Sequence, residues 1–239
     1  MVFKLIIFIL ECTVLANLTK IIAIEGIDGS GKTLQSNLIA QWFKQQGKTV
    51  LEKSFPQYNE FFGKQIGSFL SGERLRADEI DSKSMSLWYA MDRFNAFKDY
   101  IDGQYDVMII NRYVMSNMVY QTIREIDIKN NDTDNFDWIM QLEHDILGLP
   151  VPNLYLVLDV RPDFAQKNVD KKEEREYVSG RDVYEGQKDL LQRAREKYLT
   201  IANTLDYASI IQCMKNDSFL NQDEIFNKIK AELTKRNFI

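Results

Sequence analysis

Gly26-Ile27-Asp28-Gly29-Ser30-Gly31-Lys32-Thr33 sets two glycines, an ammonium group and a hydroxyl at the spacing G-x-x-x-x-G-K-[ST]. Those residue types suit the holding of a chain of phosphates. Glycine permits positive φ, so successive backbone N–H groups can converge on an anion, and a helix starting at the loop adds its positive end. Lys32 is then a point charge for the β- and γ-phosphates, and the Thr33 hydroxyl a ligand for Mg²⁺. All eight residues, Gly26, Ile27, Asp28, Gly29, Ser30, Gly31, Lys32 and Thr33, are candidates for binding a nucleoside triphosphate.

Asp28 is out of place in a loop that only binds phosphate, because a carboxylate among phosphates is repelled unless it faces something else. A sugar hydroxyl would suit it. Phe55-Pro56 closes a strand, where proline fixes the chain and the aromatic ring can form a pocket wall. Near residue 90, Leu87, Met91 and Phe94 read as an apolar stripe, with Tyr89 and Arg93 on roughly the opposite face of the same helix. A ring and a guanidinium side by side could stack on a base and hydrogen-bond to it. Asn111 stands at a strand end where a Walker-B-like carboxylate is usual. Arg112 can clamp a phosphate bidentately, Asn117 offers a base edge both a donor and an acceptor, and Tyr120 lies one turn on.

These residues need a scaffold that gathers strand ends. β-branched runs predict strands at 20–25, 49–55, 106–110, 153–160 and 209–214. Helical patterns separate them: one from Leu34 to a stop at Gly47, then 60–71, 79–101, 113–124, 134–147, 162–170, 187–205 and 221–236. Such alternation predicts an α/β fold with a mostly parallel sheet covered on both faces, and ligands beyond the carboxyl ends of its strands. Polar stretches at 127–135 and 171–181 read as a surface loop and a mobile, charged excursion.

Composition narrows the chemistry. The chain has 239 residues, 45% hydrophobic and 27% charged, which suits one domain; its net charge of −5 gives no basic field for nucleic acid or an anionic membrane. Two cysteines and one histidine exclude a disulfide framework, a histidine-clustered metal centre and a Ser/His/Asp triad, and point to a reducing, cytoplasmic setting. His144 and Cys213 read as ordinary packed residues. Residues 1–19 form an extension whose apolar run, Val2 to Leu10, is too short to span a bilayer. The domain proper is expected over 20–239.

The order and spacing of Glu25 to Thr33, Phe55-Pro56, Tyr89-x-x-x-Arg93, Arg112-Tyr113, Ser116-Asn117, Tyr120-Gln121 and Asp182 with Tyr184-Glu185 resemble the thymidylate kinase family over about residues 20–215. The resemblance implies a three-layer P-loop fold with a five-stranded parallel sheet in the order 2-3-1-4-5, a mobile lid at about 171–186, and transfer of the ATP γ-phosphoryl group to dTMP. By the same resemblance Asp28 bonds the deoxyribose 3′-hydroxyl, Tyr89 stacks on thymine and Arg93 meets its carbonyl. Arg112 holds the dTMP phosphate, Asn117 faces the base near N3, and Tyr120 crowds the 2′ position. Phe55, Ser116 and Gln121 join the substrate site, Glu185 sits near the metal or the 3′-hydroxyl, and residues 214–218 border adenine.

Some family members carry an arginine in the loop and others supply the cation from the lid. Gly29-Ser30 implies the second arrangement, with Arg181 as first candidate, Arg175 as second, and Lys171 and Lys172 beside them. Asn111 departs from the family's aspartate, which implies altered metal dependence with retained activity. A homodimer packed through helices is implied too, with Met115, Met118 and Phe97 as candidate contacts. The alternatives are another deoxynucleotide or deoxynucleoside kinase, or a non-catalytic nucleotide-binding protein.

Overall fold

The computed structural model describes residues 18–73, 75–129, 135–173 and 188–239. Its centre is β1 (Lys20–Glu25), whose last five residues are buried. Four more parallel strands flank it in the order β2-β3-β1-β4-β5, namely β2 (Val50–Ser54), β3 (Val107–Asn111), β4 (Leu154–Asp159) and β5 (Ala208–Gln212). The near-continuous apolar runs of β1, β3 and β4 follow from this, since the inner strands of a parallel sheet are covered on both faces. Register matters more than order for the site. Ile24 pairs with Asn111, so β1 and β3 end side by side, and the residues that follow each strand emerge together.

The helices are α1 (Lys32–Gln45), α2 (Phe61–Leu70), α3 (Ser82–Phe97), α4 (Val114–Lys129), α5 (Phe136–Met140), α6 (Pro162–Glu173), α7 (Lys188–Thr204) and α8 (Gln222–Lys235). Several elements depart from expectation. The segment expected as one helix over 134–147 is α5 running into a six-residue π-helix, Gln141–Ile146. The helix expected from 79 begins at Ser82, where Asp81 accepts from the Ser84 N–H as its cap, with a single 3₁₀ turn, Ala77–Glu79, before it. The fifth strand stops at Gln212, and a small hairpin follows, β6 (Met214–Lys215) with β7 (Ser218–Phe219), turning through Asn216 and Asp217 at positive φ.

The largest correction concerns α3. Leu87 and Phe94, expected to face the core, are 44% and 41% exposed, whereas Met85, Ser86, Asp92 and Arg93 point inward. The proposed dimer contacts Met115, Met118 and Phe97 are core residues, buried against the sheet. The loop expected over 127–135 is helical as far as Lys129, and α6 runs to Glu173, into the segment expected as a loop. Residues 1–17 lie outside the described residues; Leu18 and Thr19 are tied to the domain by their N–H groups, both donating to Asp102 at 2.9 Å.

Candidate active site

The glycine loop leaves β1 and enters α1. Gly29 has φ 75° and Gly31 φ 93°, and a Cβ on Gly29 would lie 2.0 Å from the Ala165 carbonyl oxygen of α6. No side chain fits at Gly29. Above Gly31 the space is open, with nothing within 4 Å of an added Cβ. Lys32 folds into the loop, its Nζ donating to the carbonyls of Gly26 at 2.9 Å and Ile27 at 2.7 Å. The Ser30 hydroxyl is buried and has no hydrogen-bond partner. Asn168 of α6 donates to the Gly29 carbonyl at 2.9 Å, so helix and loop are tied together.

Across from the loop, the turn between β3 and α4 carries Arg112 at φ 63°, a left-handed conformation that costs a non-glycine residue about 1–2 kcal/mol. Hydrogen bonds hold the turn there. The Arg112 N–H donates to the Ile24 carbonyl at 3.0 Å, and the Tyr113 N–H to the Glu25 carboxylate at 2.7 Å. Glu25 is fully buried and also accepts from the Ser116 hydroxyl at 2.6 Å and from Tyr198 of α7 at 3.4 Å. This conformation aims the Arg112 guanidinium at Asp28, with which it forms an ion pair; Tyr120 lies 3.5 Å from the same carboxylate. Burial pushes the Asp28 carboxyl up, but Arg112 and Lys32 together bring it below its ordinary value. One carboxylate thus stands between two cations, one in the loop and one on the opposite wall.

Asn111 closes β3 beside the start of α1. Its Nδ2 donates to the Thr33 hydroxyl at 3.3 Å and the Ser54 hydroxyl at 3.2 Å, while its Oδ1 is shielded from solvent and has no partner. Among the described residues no group of three His, Cys, Asp or Glu could hold a metal. Hydroxyl and amide donors instead fit a Mg²⁺ that arrives with a nucleotide, because that ion keeps several waters and takes most other ligands from phosphates.

A polar layer lies deeper, between α3, α4 and the π-helix. Arg93, 2% exposed, forms a two-pronged pair with fully buried Glu143, both contacts at 2.5 Å. It is therefore no surface partner of Tyr89, which packs half-buried beside Ile66 and Met85. Asn117 donates to Glu143 at 2.8 Å and to the Ser86 carbonyl at 3.2 Å. Gln121 accepts from Arg124 at 2.8 Å. Phe55 is in the core, stacked on Phe97 with centroids 6.3 Å apart, and Asp92 accepts from the Gln57 N–H at 2.9 Å to hold the chain beyond Pro56.

The structure thus brings together the glycine loop, Asp28, Arg112, Tyr120 and Asn111, and places Arg93, Asn117, Ser116 and Gln121 on the inward faces of α3 and α4. Arg175, Arg181 and Glu185 lie outside the described residues; Lys171 and Lys172 fall in the last turn of α6. Sequence reasoning assigns no role to Glu25, Glu143, Asp159 or Tyr198. For Glu25 and Asp159 a signal exists, a carboxylate ending a buried strand; Asp159 meets Arg195 at 2.6 Å. For Glu143 the signal is a carboxylate four residues after Ile139, set in an apolar helical stripe.

Residues 24–225 match the family model described as thymidylate kinase. A thymidylate kinase of Mycobacterium tuberculosis is 31% identical over 189 residues, which cover 76% of this chain and 85% of that one. A probable thymidylate kinase of Pyrococcus abyssi is 28% identical over 216 residues, covering 89% and 96%. Among solved structures, a thymidylate kinase from Candida albicans superposes with a TM-score of 0.69 at 18% identity, covering 93% of this chain and 94% of that one, a likeness of fold.

Proposed function

The chain belongs to the thymidylate kinase family, and from that premise we propose how its residues divide the work of moving the ATP γ-phosphoryl group to dTMP, giving dTDP and ADP. The observation that carries the reading is the Asp28 carboxylate flanked by Lys32 on the loop and Arg112 on the facing turn. Two cations converging from opposite walls suit a reaction between two phosphates. Phosphoryl transfer asks the protein for positioning and charge neutralisation rather than covalent chemistry.

In this reading Lys32 exchanges the Gly26 and Ile27 carbonyls for the β- and γ-phosphate oxygens, which lie against the N–H groups of Gly26 to Thr33. Arg112 exchanges Asp28 for the dTMP phosphate, and Asp28 is freed to accept from the 3′-hydroxyl. Tyr120, beside Asp28, crowds the 2′ position against ribonucleotides. Tyr89 stacks on thymine, Arg93 and Asn117 read its edge, and Phe55, Ser116 and Gln121 support the pocket. Thr33 would hold Mg²⁺ directly and Asn111 through a water; bound there, the ion neutralises phosphate charge. Gly29 admits no side chain, which supports a cation from the lid, Arg181 before Arg175, worth roughly 10³–10⁵ in rate. Lid closure would keep water from taking the phosphoryl group, with Glu185 near the metal or the 3′-hydroxyl.

We assign the working unit to a single domain over 20–239 and a homodimer in the cytoplasm. Leu87 and Phe94, the outward apolar residues of α3, support a helix-to-helix contact between copies. Among the described residues no helix is long and apolar enough to cross a membrane. The test is ADP release with ATP and, in parallel, dTMP, dUMP, dGMP and thymidine. dTMP should be the preferred acceptor, and Lys32→Ala should remove transfer while the circular dichroism spectrum is kept. Turnover of thymidine alone would make the protein a nucleoside kinase, and no turnover at all a binding protein.

A further inference from the structure

The polar layer under the proposed acceptor pocket contains an arrangement that neither the phosphate loop nor the Arg112 turn requires. Gln141–Ile146 is a π-helix, with the Leu147 N–H reaching the Leu142 carbonyl at 2.9 Å, and Glu143 is its buried residue. π-helical turns are rare and concentrate at functional sites. This one carries a carboxylate into the interior, where it meets Arg93 through both oxygens and the Asn117 amide through one. A buried ion pair is a poor stabiliser compared with apolar packing.

The Asn117 amide has one orientation only. Its nitrogen faces two acceptors, Glu143 Oε1 at 2.8 Å and the Ser86 carbonyl at 3.2 Å. Turned over, the amide would set oxygen against oxygen at both. Asn117 Oδ1 is therefore the atom left over, buried and without a partner, and so are Ser86 Oγ on α3 and Gln121 Nε2 one turn further along α4. Three unpartnered polar atoms on two facing helices mark a place where a ligand supplies the missing bonds.

We propose that Glu143 is the positioning residue for base choice: by holding the Asn117 nitrogen inward it presents Oδ1 to the acceptor, and so selects a base that offers an N–H at that point. This rests on the dTMP kinase reading above. Thymine and uracil carry an N–H at N3, whereas cytosine has a lone pair there, which would face Oδ1 with no proton between them. A site built to pair one polar group rejects the analogue that leaves it unpaired far more strongly than a site that merely fits a shape.

Glu143→Leu tests it. With both carboxylate oxygens gone, the Arg93 guanidinium is left without its acceptor and the Asn117 nitrogen keeps only the Ser86 carbonyl, so the amide would turn its oxygen to Arg93 and present nitrogen to the acceptor. The kcat/KM ratio for dTMP over dCMP should fall at least about tenfold in the folded variant, and Asn117→Asp added to it, which can present only oxygen, should restore the preference for dTMP. A folded Glu143→Leu enzyme with the wild-type ratio would overturn the proposal. Should that variant not fold, the wild-type protein decides through calorimetry: 3-methyl-dTMP, which has no N3 proton, should bind at least about tenfold more weakly than dTMP, and equal binding would overturn the proposal. A wild-type protein that turns over no dTMP would instead sink the kinase reading, a separate result from either of these.

Discussion

At Asn111 the molecule has an amide where the strand-end position favours a carboxylate, and its unpartnered Oδ1 lies one side chain from the Thr33 hydroxyl. An amide still accepts a hydrogen bond from metal-bound water but lacks the charge that draws the cation. Asn111→Asp should therefore lower the Mg²⁺ concentration for half-maximal activity and tighten Mn²⁺ binding seen by electron paramagnetic resonance; unchanged midpoints would refute this. Glu25 supplies a pH-dependent test. Burial holds its carboxyl above the ordinary 4.5, outweighing the Ser116 hydroxyl, the Tyr113 N–H, Arg112 and Lys32, which pull it down. A raised carboxyl pKa means the native state binds the proton more tightly, so this contribution to stability is full below pH 4.5 and is lost as pH rises through the native value. Wild-type melting temperatures should thus fall relative to Glu25→Gln as pH climbs above 4.5, and parallel curves would contradict it. Burial pushes the Cys213 thiol up to about 12, so this thiol stays protonated.

Elements were legible in proportion to how far they obey an apolar interior. β1 and β3 announce themselves by unbroken apolar runs, and the register that brings Asn111 beside the phosphate loop follows from their pairing. Helix α3 runs against the apolar-stripe expectation because its inward face carries Ser82, Ser86, Asp92 and Arg93 while Leu87 and Phe94 look outward. Periodicity arguments assume that the interior is greasy, and here it is a hydrogen-bonded layer. The π-helix leaves no mark on the pattern, since Glu143 follows buried Ile139 by four residues just as an inward residue of an α-helix would. Where caps follow their usual chemistry, the boundary is clear: Asn221 accepts from the N–H groups of Asp223 and Glu224, both at 3.0 Å, and Glu224 returns a bond to the Asn221 N–H at 2.9 Å. Asn221→Ala should cost about 1 kcal/mol in urea unfolding, without altering the urea dependence of stability.

At the scale of the whole molecule, the five-stranded order is the one the family resemblance implied, and the glycine loop, Asp28 and Arg112 crowd at the carboxyl edge of the sheet, where alternating strands and helices place a ligand, whereas the outward apolar face of α3 was not expected. That face gives a test of assembly. If copies pair through it in the proposed homodimer, Leu87→Asp with Phe94→Asp should halve the mass measured by sedimentation while the fold survives, because both residues are already in contact with solvent; an unchanged mass would count against that contact. The Asp28–Arg112 pair has a consequence for the protein before any substrate arrives. In the proposed assignment the arginine that would hold a phosphate already has a tethered anion of its own, so an incoming anion would compete with an intramolecular rival rather than with water. Sulfate and inorganic phosphate, which could replace the carboxylate but would leave it stranded, should then be poor competitors. A nucleotide offering Asp28 a sugar hydroxyl in the same event would compensate both ends of the broken pair, so that the resting pocket would screen its visitors by requiring two simultaneous exchanges.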